Sequence, residues 1–261
     1  MTAERSRVAP GHPRPPTSGP ERPAAVPDGG EVVRWGLGDA LSGVALTLLV
    51  PSLVFAFMGA VAGPFDLDEV PLWGLALFQV PLWVGLLGAP LWASYHKGRR
   101  SLATDFGLRW RWTDLPLGLV VGFGGQVAVG LAVPVLYRAL GIDPGRIGTS
   151  AEELTAEATG AVDVVVLLVV VAIAAPALEE LFYRGLWLRA LQARAGTGAA
   201  VVGSAAVFAT LHLQPYDFPA LFAFGVLAAL LAVRTGRLGP ATWAHVAFNL
   251  TAVVSLLAGG P

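Results

Sequence analysis

The chain has no cysteine among its 261 residues, and charged residues make up only 13% of it. Without thiols it has no disulfide framework, no thiolate metal site and no cysteine nucleophile. A soluble domain carries about a quarter charged residues, so an ordinary water-soluble globule is not the expected class. The formal net charge of −1 provides no basic excess, and nucleic acid is therefore not an expected partner.

Hydrophobic residues are abundant instead, at 55% of the chain, and the mean hydropathy is +0.65. They form continuous apolar stretches, most of them near or above the roughly 20 residues that a helix needs to cross a bilayer. Transmembrane barrels show alternating patterns, which these stretches lack. We therefore predict an all-α, polytopic membrane protein, a helical bundle of about seven transmembrane helices in the lipid bilayer. The stretches are 36–62, 70–94, 115–140, 161–183, 199–213, 218–233 and 239–258.

The first 31 residues differ from the rest in composition. They contain seven prolines, four arginines balanced by four acidic residues, and no apolar core of the kind a signal peptide requires. Proline and glycine at this density prevent a packed core. We predict that residues 1–31 are a disordered, Pro-rich cytoplasmic tail and that residues 32–261 form the membrane-embedded domain.

Basic residues precede or follow alternate apolar stretches, and the remaining loops are mostly acidic, with Arg138 and Arg146 as exceptions. Because cytoplasmic loops carry an excess of lysine and arginine, this alternation predicts a cytoplasmic N-terminus and a C-terminus on the far side. The Ala-, Gly- and Pro-rich composition is typical of GC-rich bacteria, so we expect a multi-pass protein of the bacterial cytoplasmic membrane. The acidic loop residues are Asp66, Asp68 and Glu69, then Asp143, Glu152, Glu153 and Glu157, then Asp217.

Two adjacent carboxylates, Glu179 and Glu180, end the fourth apolar stretch. Glu180 and Arg184 are four residues apart, so on a helix they share a face and can neutralise one another. Glu179 projects about 100° away and has no such partner. An unpaired carboxylate in apolar surroundings suits a general base near neutral pH. The alternative is a solvated helix end with both glutamates at the level of the lipid headgroups.

Two further polar features lie in the fifth and seventh stretches. His212 lies near the end of the fifth stretch. If the chain turns at 196–198 and both arms are helical, counting residues from the turn places His212 and Glu179 within about 4–5 Å of each other in membrane depth. His245 and Asn249 are four apart and project from one helical face. They could bind a metal ion or donate to an oxyanion. The alternatives are a packing role for His212, and bonds from the other two to each other or to backbone.

These polar residues resemble, in type, order and spacing, the three motifs of the CAAX-protease and bacteriocin-processing family of intramembrane endopeptidases. The family shows a glutamate pair, three intervening residues and an arginine, then Phe-x-x-x-His, then His-x-x-x-Asn. The resemblance covers only residues 179–249. The matching residues are Glu179, Glu180, Arg184, Phe208, His212, His245 and Asn249.

The resemblance implies a protease domain that hydrolyses a bond of a peptide or protein substrate at or within the membrane. Glu179 would then be the general base that activates water, and His212 would hold or polarise that water. His245 and Asn249 would stabilise the oxyanion. Glu180 and Arg184 would maintain the architecture of the site.

Three alternatives stay open at this stage. In a zinc metalloprotease, Glu179, His212 and His245 would be the ligands. No His-Glu-x-x-His signature is present, so we favour metal-independent hydrolysis with no cofactor. A proton-coupled transporter would also use buried glutamate and histidine, although it would distribute them along several spans. A non-catalytic membrane scaffold is the third alternative.

Overall fold

The structure, a computed structural model, describes residues 33–63 and 70–259. In these two ranges the chain forms helices and turns and no strands, which confirms the all-α prediction. The predicted disordered tail at residues 1–31 lies outside the described residues. So do the acidic residues Asp66, Asp68 and Glu69 of the first predicted acidic loop.

Within the described ranges, eleven α-helices follow one another, interrupted by π-helical segments and one 3-10 turn. The α-helices are α1 (Leu37–Ala62), α2 (Leu72–Leu77), α3 (Gln79–Trp92), α4 (Leu102–Asp105), α5 (Asp114–Ala139), α6 (Thr149–Ala156), α7 (Ala161–Val169), α8 (Ala175–Glu180), α9 (Leu188–Leu211), α10 (Phe218–Thr235) and α11 (Gly239–Gly259). The π-helical segments are Ala93–Lys97, Val170–Ala174 and Leu181–Trp187, and the 3-10 turn is Pro144–Arg146.

Six helical runs of the described chain are long and apolar enough to cross a membrane. One of them, Ala161–Leu211, has 51 residues, or about 76 Å of helix, against a hydrocarbon core of roughly 30 Å. Gly196 interrupts this run with φ 76° and ψ 171°, outside the helical range. The run therefore contains both the fourth and the fifth predicted stretch, which reconciles six runs with about seven predicted spans.

Close packing between α5 and α11 depends on two glycines of α5. The Cβ atom of any larger residue at Gly118 or Gly122 would collide with the backbone of Trp243 or Ala244 on α11. Small residues at such contacts let membrane helices approach until their backbones touch. On the opposite face, Val120 is 72% exposed, as expected for a side chain that faces lipid.

The core lies among the helices of the second half of the chain. Phe182, Phe208 and Phe224 are fully or almost fully buried and come from the third π-helical segment, α9 and α10. Their rings form one cluster with Leu186 and Leu238. This cluster surrounds the polar residues of the candidate site.

Basic segments that are far apart in sequence meet at one end of the bundle. Arg34 donates a backbone hydrogen bond to Lys97, and the segment after α10 is bonded to the loop before α5. At the same end, the Nε atom of Arg237 donates to Asp114 at 2.9 Å. These hydrogen bonds to the carboxylate raise the pKa of Arg237 above its ordinary value. Three of the predicted basic segments are therefore neighbours in space. The assignment of this end of the bundle to the cytoplasm stays a prediction.

We predict that Asp114→Asn lowers the free energy of unfolding by about 3 kcal/mol, because Asp114 is fully buried and its loss leaves the Arg237 charge without a partner. The matched control is Asp39→Asn, which leaves only the Lys97 charge without a partner; that lysine side chain is 43% exposed, and the variant should cost less than about 1 kcal/mol. Unfolding of both variants in detergent micelles measures the difference. Equal costs would contradict the structural role of Asp114.

Candidate active site

Two neighbouring glutamates at the end of α8 lie in different environments. The Glu180 side chain is 0% exposed, whereas the Glu179 side chain is 18% exposed. The predicted difference in direction between adjacent helical residues produces this contrast. Only Glu179 is therefore accessible to a molecule that enters the site.

Glu180 is held by two charged or polar side chains on one carboxylate oxygen. Its Oε1 atom accepts a hydrogen bond from the guanidinium of Arg184 and another from Nδ1 of His245, both at 2.8 Å. Arg184, which is also fully buried, donates to the Gly225 carbonyl at 3.2 Å. The predicted pairing of Glu180 with Arg184 is confirmed, and it joins α8 to α10 and α11.

Glu179 faces both histidines. Its Oε2 atom lies 3.7 Å from Nε2 of His245 and 4.0 Å from Nε2 of His212. The expectation that Glu179 and His212 meet across the hairpin is therefore confirmed. Both separations exceed a direct hydrogen bond and are short enough for one water molecule to contact all three side chains.

The Nδ1 atoms of the two histidines have different partners. Nδ1 of His212 lies 2.6 Å from the Phe208 carbonyl, one turn back on α9. Nδ1 of His245 contacts the Glu180 carboxylate. Because a carbonyl and a carboxylate only accept hydrogen bonds, each Nδ1 carries a proton and each Nε2 is left to act towards Glu179.

Phe208 and Phe224 complete the site, and the sequence analysis did not assign either of them a role. The Arg184 guanidinium lies 4.5 Å from the Phe208 ring centroid, and the His212 ring lies at 4.5 Å from the same ring. The Phe224 and His245 ring centroids lie 4.6 Å apart, with the two rings tilted by 50°. Phe208 could have been identified as the first residue of its motif, whereas Phe224 has no marker in the sequence.

Asn249 braces the helix that carries the glutamates. Its Nδ2 atom donates to the Val171 carbonyl at 3.0 Å, in the π-helical segment Val170–Ala174. The N–H group of Ala175 bonds to Val170, and Pro176 has no N–H group, so neither position satisfies the Val171 carbonyl. A carbonyl without a donor at membrane depth is costly, and Asn249 removes that cost.

For Asn249, the structure thus shows the bond to backbone that the sequence analysis kept as an alternative. The predicted contribution of Asn249 to oxyanion binding stays a prediction. Pro176 could have indicated the hydrogen bond from Asn249 to Val171, because this proline removes one backbone donor from the fourth apolar stretch.

The described residues contain no group of three or more His, Asp or Glu side chains placed to hold a metal ion. Tetrahedral zinc with bonds of 2.0–2.1 Å requires donor atoms about 3.3 Å apart. The separations from Glu179 Oε2 to the two Nε2 atoms, 3.7 and 4.0 Å, are wider than that.

Residues 161–251 match the family model of the Type II CAAX prenyl endopeptidase Rce1-like family. The matched segment begins with α7 and ends in α11, and it contains all six predicted site residues. This part of the chain is similar to the Rce1-like family, which confirms the resemblance stated on the three motifs. The chain has no significant match among curated proteins. It has none among solved structures either.

We predict that Arg184→Met lowers the free energy of unfolding by about 3–5 kcal/mol, because it leaves the buried Glu180 carboxylate without its guanidinium partner. Arg194→Met is the matched control, since Arg194 is exposed on the same helical run and loses the same charge. Unfolding in detergent micelles should show a change of less than about 0.5 kcal/mol for this control. A stable Arg184→Met variant would contradict the architectural role of the ion pair.

Proposed function

We propose that this protein is an intramembrane endopeptidase in which Glu179 activates a water molecule to hydrolyse a peptide bond. The observation that carries the proposal is the contrast between two adjacent carboxylates. Glu180 is buried and forms an ion pair with Arg184, whereas Glu179 is accessible and faces the Nε2 atoms of His212 and His245. The match of residues 161–251 to the family model of a CAAX prenyl endopeptidase family supports the same reaction class.

The first proposed step is proton transfer from water to Glu179. A water molecule between Glu179 Oε2 and His212 Nε2 gives one proton to the carboxylate, and its oxygen forms a bond to the scissile carbonyl carbon. His212 accepts a hydrogen bond from the same water and so orients it, because its own Nδ1 proton is directed at the Phe208 carbonyl. When the tetrahedral intermediate breaks its C–N bond, the proton on Glu179 passes to the leaving amine.

The second element of the proposal is stabilisation of the oxyanion. Nδ1 of His245 is held by the Glu180 carboxylate, which directs Nε2 towards Glu179. In the proposed mechanism a proton on His245 Nε2 is donated in a hydrogen bond to the oxyanion. One such positioned donor contributes about 3–4 kcal/mol.

Asn249 is the second proposed oxyanion donor. One of its two amide hydrogens is directed at the Val171 carbonyl, and the other remains for the intermediate. His245 and Asn249 are one turn apart on α11, so both donors approach the substrate from the same helix. We assign Glu180 and Arg184 to positioning: they orient His245 and never touch the substrate.

We propose that hydrolysis proceeds without a metal cofactor. The absence of a His-Glu-x-x-His zinc signature from the sequence supports this choice. Zinc would polarise the carbonyl and activate the water in the alternative mechanism, with these three residues as its ligands.

A proton-coupled transporter is less consistent with the positions of the ionisable groups. In the described parts of α1 and α5, ionisable side chains occur only near the ends of the helices, at Asp39, Asp114 and Arg138. A proton path through the bundle requires groups in mid-span. The glutamate and histidine side chains of the candidate site instead cluster on the last helices, as expected for a single reaction centre.

The multiple apolar helices make this a multi-pass membrane protein. We propose that it resides in the bacterial cytoplasmic membrane with its N-terminus in the cytoplasm, and that its substrates are membrane-associated peptides or proteins. Support comes from the basic residues collected at one end of the bundle, since the cytoplasmic side carries the lysine and arginine excess.

We predict that Glu179→Gln reduces cleavage of a membrane-tethered peptide to background, because the amide cannot take the proton from water. Fluorescent product release from the tethered peptide in liposomes measures the rate. Glu153→Gln on α6 makes the same chemical change at an exposed carboxylate and should cleave like the wild type. Wild-type cleavage by the Glu179→Gln variant would disprove the proposed general base.

We also expect cleavage to persist after dialysis of the purified protein against a strong zinc chelator, because the proposed mechanism uses no metal ion. The same liposome assay, with and without added zinc, measures this. Loss of cleavage that added zinc restores would replace the proposed mechanism with the metalloprotease alternative.

A further inference from the structure

A polar cleft lies at the basic end of the bundle, away from the candidate active site. It has a volume of about 540 Å³ and is lined by residues 108–111 and 235–237. These residues precede α5 and connect α10 to α11. Arg189, which lies beside this region, is ten residues after Glu179 on one helical run, or about 15 Å along the axis. The cleft is therefore separate from the reaction centre.

Hydrogen bonds hold the walls of the cleft in place. Leu238 donates its backbone N–H to the Gly107 carbonyl at 2.8 Å, and Gly239 donates to the Arg109 carbonyl at 3.3 Å. Gly107 and Gly236 have φ values of 73° and 67°, a conformation that favours glycine. The ion pair between Asp114 and Arg237 adds a side-chain link. The two walls are thus fixed relative to each other before any ligand binds.

The cleft carries an excess of positive charge. Arg109 and Arg111 are exposed, and within the described residues their guanidinium groups form no hydrogen bond or ion pair. Arg237 is paired with Asp114, so the positive charges of Arg109 and Arg111 have no counter-charge on the cleft walls. Nearby, the Nε atom of Arg189 is buried without a hydrogen-bond partner. This arrangement is complementary to an anion with several acceptor oxygens.

Tryptophans place the cleft at the level of the lipid headgroups. Trp110 is part of the cleft wall, and its ring meets the Trp243 ring edge-on at 6.1 Å. Trp112 follows immediately and is 85% exposed. Tryptophan is enriched where a membrane meets water, and this end of α5 and α11 is where two candidate spans begin. An anion bound here lies at headgroup depth.

We propose that the cleft binds the phosphate group of an anionic phospholipid, with the Arg109 and Arg111 guanidinium groups as its principal donors. Planar guanidinium groups match phosphate oxygens in pairs, and basic pockets between membrane helices are suited to anionic headgroups. The acyl chains lie against the apolar outer surface of the neighbouring helices. The site is independent of the proposed hydrolysis, since it uses none of the catalytic residues.

Native mass spectrometry of the full-length protein tests this site. The purified wild type is mixed with equal amounts of phosphatidylglycerol and phosphatidylcholine, and we expect it to retain phosphatidylglycerol selectively. Arg109→Gln/Arg111→Gln should weaken phosphatidylglycerol binding about tenfold or more through the loss of two charge-assisted contacts. The control Arg99→Gln/Arg194→Gln removes two exposed arginines outside the cleft and should retain the preference.

Three results would overturn the proposal: no headgroup preference in the wild type, equal loss in both double variants, or unchanged retention by Arg109→Gln/Arg111→Gln. The wild-type comparison requires no variant, so it decides the question even where a substitution affects folding. A further arm adds glycerol phosphate or inorganic phosphate in place of lipid. We expect neither to displace phosphatidylglycerol at equal concentration; displacement would identify a soluble phosphate compound as the ligand and contradict the lipid assignment.

Discussion

The buried ion pair between Glu180 and Arg184 is the interaction on which the candidate site depends. Both side chains are fully excluded from solvent, and charges in such surroundings are tolerated only when they are paired and hydrogen-bonded. Two further hydrogen bonds complete the pair: Arg184 donates to the Gly225 carbonyl of α10, and His245 of α11 donates to Glu180. These contacts fix the direction of His245 and, with it, the position of the Nε2 atom that faces Glu179.

Two adjacent residues of one type thus acquire different surroundings, and helix geometry is the first cause. A rotation of about 100° between neighbours directs Glu180 into the aromatic core and Glu179 towards the accessible side. Aromatic rings contribute to this separation, since the Phe208 ring contacts both Arg184 and His212. The apolar surroundings strengthen the electrostatic interactions of both carboxylates, and only the accessible one is available to a substrate.

Much of this arrangement could be predicted from residue spacing. Four-residue spacing pairs Glu180 with Arg184, and counting from the predicted turn at 196–198 places Glu179 and His212 at similar depth. The brace from Asn249 to Val171 could not be predicted, because it depends on a π-helical segment whose hydrogen bonds shift by one residue beside Pro176. The contact of Phe224 with His245 is set by tertiary packing of α10, which local sequence does not encode.

The division of roles between Glu179 and Glu180 is tested most directly by measuring unfolding and cleavage together for Glu179→Gln and Glu180→Gln. The account predicts that Glu179→Gln unfolds at the wild-type midpoint and does not cleave the tethered peptide. Glu180→Gln should unfold at a clearly lower midpoint, because Arg184 keeps its buried charge and loses its counter-ion. A Glu179→Gln protein that cleaves normally, or a Glu180→Gln protein as stable as the wild type, would contradict the account.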